Sequence, residues 1–102
     1  MPNRLAELEK LHAREPDDPF LVYAIGTEHE KAGKYDEAIA RFDQVLEMDP
    51  SYVYAHFRKG QVYEQQGDLD AARAAYEVGI TAAEDHDDPK AREEIAGALD
   101  LL

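Results

Sequence analysis

GTEHEKAGKYDEAIARFDQVLEMDP (residues 26–50) and GQVYEQQGDLDAARAAYEVGITAAE (60–84) decide how this chain folds. Set one over the other, they align Gly26 with Gly60, Gly33 with Gly67, Ala38 with Ala72 and Phe42 with Tyr76, a shift of 34 residues each time. Pro16 and Pro50 are separated by the same step. A fixed period of this length signals stacked supersecondary units rather than a single centred core.

Within each unit the punctuation is helical. Ala38, Ile39, Phe42, Val45 and Leu46 follow an i, i+3, i+4, i+7 pattern, which predicts an amphipathic helix over about 35–48 that Asp49-Pro50 ends. Before it, Asp18 and Pro19 are placed to cap and open a helix over about 19–32, which Gly33 closes in a left-handed conformation. Ser51 is the expected cap of a helix running to about 66, closed by Gly67, and Asp68 the cap of another through about 83. Leu5, Leu8 and Leu11 predict a leading helix over about 3–14. The Asp-Asp-Pro signal of 17–19 returns at 87–89, two residues late, and opens a final helix over about 89–101.

Composition limits what such a molecule can hold. Among 102 residues, 11 are Lys or Arg and 23 are Asp or Glu, for a formal charge of −12. Nucleic acid and anionic membranes both need a positive footprint, so neither is an expected partner. An acidic, lysine-poor, alanine-rich surface of this kind resembles proteins of salt-rich cytoplasms. There is no cysteine, hence no disulfide framework and no thiol chemistry. No apolar run approaches a membrane span, and Met1-Pro2-Asn3-Arg4-Leu5 does not read as a signal peptide, so a cytoplasmic location is expected.

No catalytic or metal constellation emerges. His12, His29, His56 and His86 lie on different segments, none with a second histidine at i+3 or i+4. Glu84-Asp85-His86-Asp87-Asp88 lacks the glycine and spacing of a calcium loop and reads as a solvated turn. The single serine, Ser51, has no base beside it, and the glycines do not form a phosphate loop. No enzyme activity, cofactor or metal is expected.

These residues resemble the tetratricopeptide repeat, an all-α right-handed solenoid of antiparallel helix pairs. The resemblance implies one domain over 1–102: a half-repeat helix at 2–16, full repeats at 19–52 and 53–86, and a capping helix at 89–102. It places Gly26 with Ala38, and Gly60 with Ala72, where paired helices cross. Departures are specific: Val22 and His56 stand where the family prefers Trp, His29 where it prefers Tyr, Lys59 where it prefers Leu, Gly79 for Ala and Glu84 for Pro.

Function follows from the resemblance as protein–protein binding in a concave groove lined by the first helix of each repeat. Carried over by position, that wall comprises Phe20, Tyr23, Thr27, Glu30 and Lys31, then Tyr54, Phe57, Gln61, Glu64 and Gln65. Aromatic anchors there suit an aromatic or aliphatic partner. Glu30 and Glu64 imply an acidic lip and a basic ligand. The carboxylate-clamping subclass is disfavoured, because Tyr23 and Thr27 occupy its Lys and Asn positions. A monomer is expected. The alternative is self-association through the last helix, where Ala91, Ile95, Ala98, Leu99, Leu101 and Leu102 give an apolar stripe.

Overall fold

Helix ends in this chain are written in its turns. A computed structural model describes residues 3–102, in which six helices follow one another: α1 (Arg4–Arg14), α2 (Pro19–Lys31), α3 (Tyr35–Met48), α4 (Tyr54–Gln65), α5 (Leu69–Asp85) and α6 (Pro89–Asp100). Pro2, the expected first residue of the half-repeat, lies outside the described residues. Asp18, Asp68 and Asp88 cap α2, α5 and α6 by accepting from the amides of Phe20 (2.9 Å), Ala71 (3.1 Å) and Ala91 (3.1 Å). Each satisfies an amide that the helix itself leaves unpaired.

Gly33 and Gly67 adopt φ of +75° and +80°. There the chain folds back so that the amides of Lys34 and Asp68 reach the carbonyls of His29 and Tyr63, both at 2.9 Å. The α5–α6 turn has the same pattern without a glycine. Asp87 takes φ +53°, and Asp88 donates to the Ala83 carbonyl at 2.8 Å. Glu84, which stands where Pro50 stops α3, lets α5 run on to Asp85. α5 is thus three residues longer than α3, and α6 opens two residues late.

One cap is corrected. Ser51 does not cap α4. Its amide and hydroxyl both donate to Asp49 Oδ1, at 3.0 and 2.5 Å. Asp49 thus captures the serine locally, as Asx turns do. The α4 N-terminus instead begins after Val53 with no side-chain cap, its first amides bonding back to Tyr52 and Val53.

Each helix packs on the next in sequence, and α2 also meets α4. Gly26 and Gly60 make the α2–α3 and α4–α5 crossings possible. A Cβ on Gly26 would lie 2.8 Å from the Phe42 ring, and one on Gly60 only 2.1 Å from Tyr76. Val22, Ala38, Phe42 and Val45 form one core with Ala55 and Val62 of α4. Ala72, Tyr76 and Ala83 form the next with Val53, Ala91 and Ile95, against which Ala98, Leu99 and Leu102 also pack. The apolar stripe of α6 therefore faces inward, and Leu101 is left exposed. Among the described residues, no helix is long and apolar enough to cross a membrane.

Candidate functional site

With α2 set between α1 and α4, one stripe of α2 stays uncovered. Phe20, Tyr23, Thr27 and Lys31 follow helical spacing along it and, with Glu28 and the buried Ala24 at its base, line a hollow of about 160 Å³. Arg4 of α1 and Arg58 of α4 flank it on opposite sides. A wider hollow of about 490 Å³ adjoins the C-terminal end of α2, with Thr27, Glu30, Lys31, Tyr35, Arg58 and Gln65 in its wall.

Phe20 is the aromatic most clearly offered to solvent, 57% exposed. Tyr23 is half-buried, its ring centroid 5.1 Å from Tyr52 and 5.6 Å from Phe42. Its hydroxyl accepts from Arg58 Nε at 2.9 Å, while the guanidinium lies 5.9 Å from the ring centroid. Arg58 also donates to Gln61 Oε1 at 3.3 Å. Bonded to both the Tyr23 hydroxyl and Gln61, Arg58 is held in place. Thr27 donates its hydroxyl proton to the Tyr23 carbonyl at 3.1 Å and so presents its methyl group.

The carboxylates are largely engaged by the protein. Glu28 is shared by Arg4 (2.9 Å) and Lys31 (3.7 Å). Glu30 accepts from Gln65 Nε2 at 2.7 Å, and its other oxygen is buried without a partner among the described residues. Glu64 accepts from the Tyr76 hydroxyl. Burial, and then that bond, holds the Tyr76 phenol far above its usual range.

Of the ten residues expected on the binding wall, Gln65 pairs with Glu30, and the other nine separate. Phe20, Tyr23, Thr27, Glu30 and Lys31 come together on the hollows of α2. Gln61 serves Arg58, and Glu64 serves Tyr76. Tyr54 and Phe57 pack edge to face at 6.4 Å, and Phe57 lies 6.0 Å from Tyr76, so both belong largely to the second core. Burial, followed by the Glu94 carboxylate, raises the Tyr54 phenol. Tyr52 packs against Tyr23 beside the first core. Arg4 and Glu28 were not foreseen on this surface. Lys59, which stands where the family prefers Leu, reaches Asp43 of α3 at 2.7 Å.

On the α3 side of α4, His56, Lys59 and Tyr63 face Ala71, Ala74, Ala75 and Val78 of α5 across a third hollow. Burial, and next Lys59, pull the His56 imidazole below its usual value, with Asp43 opposing.

The tetratricopeptide repeat family profile matches residues 23–89. A TPR repeat-containing protein of Pseudomonas aeruginosa is 32% identical over 95 residues, covering 93% of this chain and 90% of that protein. Among solved structures, a protein of Bordetella parapertussis superposes with a TM-score of 0.84 at 28% identity, over 97% of this chain and 86% of that one. A tetratricopeptide repeat domain protein of Salinibacter ruber gives 0.75 at 34% identity, over 82% and 85%.

Proposed function

The chain belongs to the tetratricopeptide repeat family, and on that premise we propose that it binds a segment of a partner protein along the α2–α4 surface, without catalysis. Members of the family generally serve protein–protein interaction, and the fold alone does not choose the partner. In this reading α2–α3 (19–52) and α4–α5 (53–86) are two full repeats, with 2–16 and 89–102 as flanking helices.

The observation that carries the proposal is the uncovered α2 stripe. A helix packed on both sides keeps an exposed Phe20, a positioned Tyr23–Arg58 pair and the Thr27 methyl in one line. An extended or helical segment would dock there, anchored on Phe20 and Tyr23 and bordered by Glu30 and Lys31. Gln61 and Glu64 would act from α4, where Tyr54 and Phe57 shape the wall by packing beneath it. Self-association through α6 has less support, since most of its apolar side chains already face the core.

The test is affinity capture with wild type and a Phe20→Ala/Thr27→Arg double variant. Phe20 is exposed and Thr27 is half-buried, so circular dichroism should show the helices retained. A partner held by wild type and lost by the variant supports the surface. Equal capture moves the interface elsewhere.

A further inference from the structure

We infer that the α2 surface is built for an acidic segment, one that sets a carboxylate beside an aromatic or aliphatic side chain. This rests on the reading of that surface as the binding site and assigns its ligand chemistry. It replaces the basic ligand expected from the sequence.

The charges around the hollow run opposite to those of the chain. The whole sequence carries −12, yet three cations, Arg4, Lys31 and Arg58, line the hollow against one carboxylate, Glu28. That carboxylate is divided between Arg4 and Lys31. Counting Glu30 from the adjoining hollow still leaves an excess of positive charge. Glu30 offers little to a ligand, with one oxygen taken by Gln65 and the other covered. At physiological ionic strength, charges more than about 8 Å away are largely screened. The local set therefore governs what binds, not the distant acidic turns.

Arg58 supplies the recognition geometry. A guanidinium carries five N–H donors in a fixed fork. Here Nε–H is given to Tyr23 and one Nη1–H to Gln61, while Nη2 meets no acceptor and no carboxylate pairs with Arg58 among the described residues. The Tyr23 hydroxyl accepts from Arg58 and keeps its own proton to donate. A ligand carboxylate could take Nη2–H and the phenol O–H together while an adjacent apolar side chain lies over Phe20 and the Thr27 methyl. Because Arg58 is already ordered, little side-chain freedom is lost on binding.

The experiment titrates the full chain, labelled with ¹⁵N, with two short synthetic peptides, one alternating leucine with glutamate and the other leucine with lysine. The expected result is shifts at the amides of Phe20 to Lys31 and at Arg58 Nε–H, with the glutamate peptide bound at least about tenfold more tightly at 0.15 M salt. Arg58→Gln should weaken it about tenfold, as loss of one charge-assisted hydrogen bond implies. Arg58→Lys should restore only part of that. Thermal melts establish that both variants fold. Preference for the lysine peptide at the same amides would overturn the charge assignment and leave the surface standing. Shifts confined to Val78 and its neighbours, or none with the glutamate peptide, would overturn the inference, and the former would overturn the surface as well.

Discussion

Replacing Gly60 by alanine tests the helix crossing on which the fold depends. The added Cβ would sit 2.1, 2.5 and 2.6 Å from Cε1, Cδ1 and Cζ of Tyr76. Carbon atoms rest about 3.5–4.0 Å apart, so the ring or the helix must yield by roughly 1.5 Å. The ring has nowhere to go: it is fully buried, its hydroxyl is bonded to Glu64, and Phe57 packs against it. Overpacking of this kind costs about 1–3 kcal/mol, while alanine in place of glycine inside a helix returns about 0.5–1 kcal/mol. The net loss is about 1–2 kcal/mol, which lowers Tm by roughly 5–15 °C in a domain of this size. Gly97 is the control, because a Cβ there meets nothing within 4 Å. Gly97→Ala should raise Tm by roughly 4 °C. Gly26→Ala, at 2.8 Å from Phe42, should fall between them. Thermal melts followed by circular dichroism give the order directly. A Gly60→Ala protein melting at or above the Gly97→Ala protein would refute the crossing.

Two further outcomes follow from charge. The His56 imidazole is held below its reference value of 6.5, chiefly by burial. The unfolded chain then takes up the proton first, so stability present above pH 6.5 is lost as pH falls through the folded-state value. His56→Val, which copies the buried Val22 one period earlier, should flatten that part of the Tm–pH curve, and an unchanged slope would remove His56 as its cause. With a net charge of −12, self-repulsion should ease with salt, so Tm should rise as KCl is increased. A flat response would show that the ion pairs already balance it.

The helices were legible because their signals are local and doubled. Asp18-Pro19, Gly33 and Gly67 fix ends through backbone chemistry that neighbours do not alter, and the period sets Gly26 and Gly60 under Phe42 and Tyr76. Ser51 misled because Asp49, two residues away, competes for the same hydroxyl and amide. The α5 overrun depended on Glu84 not being a proline, together with an aspartate accepting positive φ at Asp87.

The site was half legible. Residues of the α2 stripe share one helix, so spacing alone groups Phe20, Tyr23, Thr27 and Lys31. Arg4 and Arg58 join them only through the packing of α1 and α4 on α2, which carries no periodic mark. Glu30 and Glu64 read as an acidic lip because the sequence does not show Gln65 and Tyr76 engaging them. The repeated aromatics Tyr23 and Phe57 serve packing and surface at once: Tyr23 still reaches the hollow, whereas Phe57 leans on Tyr76.

The most direct test of the α2 surface as the interface is site-specific photo-crosslinking in cells. The reactive residue would replace either Phe20 on that surface or Val78 on the outer side of α5, matched at 57% and 55% exposure. The account predicts a discrete partner adduct from position 20 and none from position 78. The same adduct from position 78 alone would contradict it.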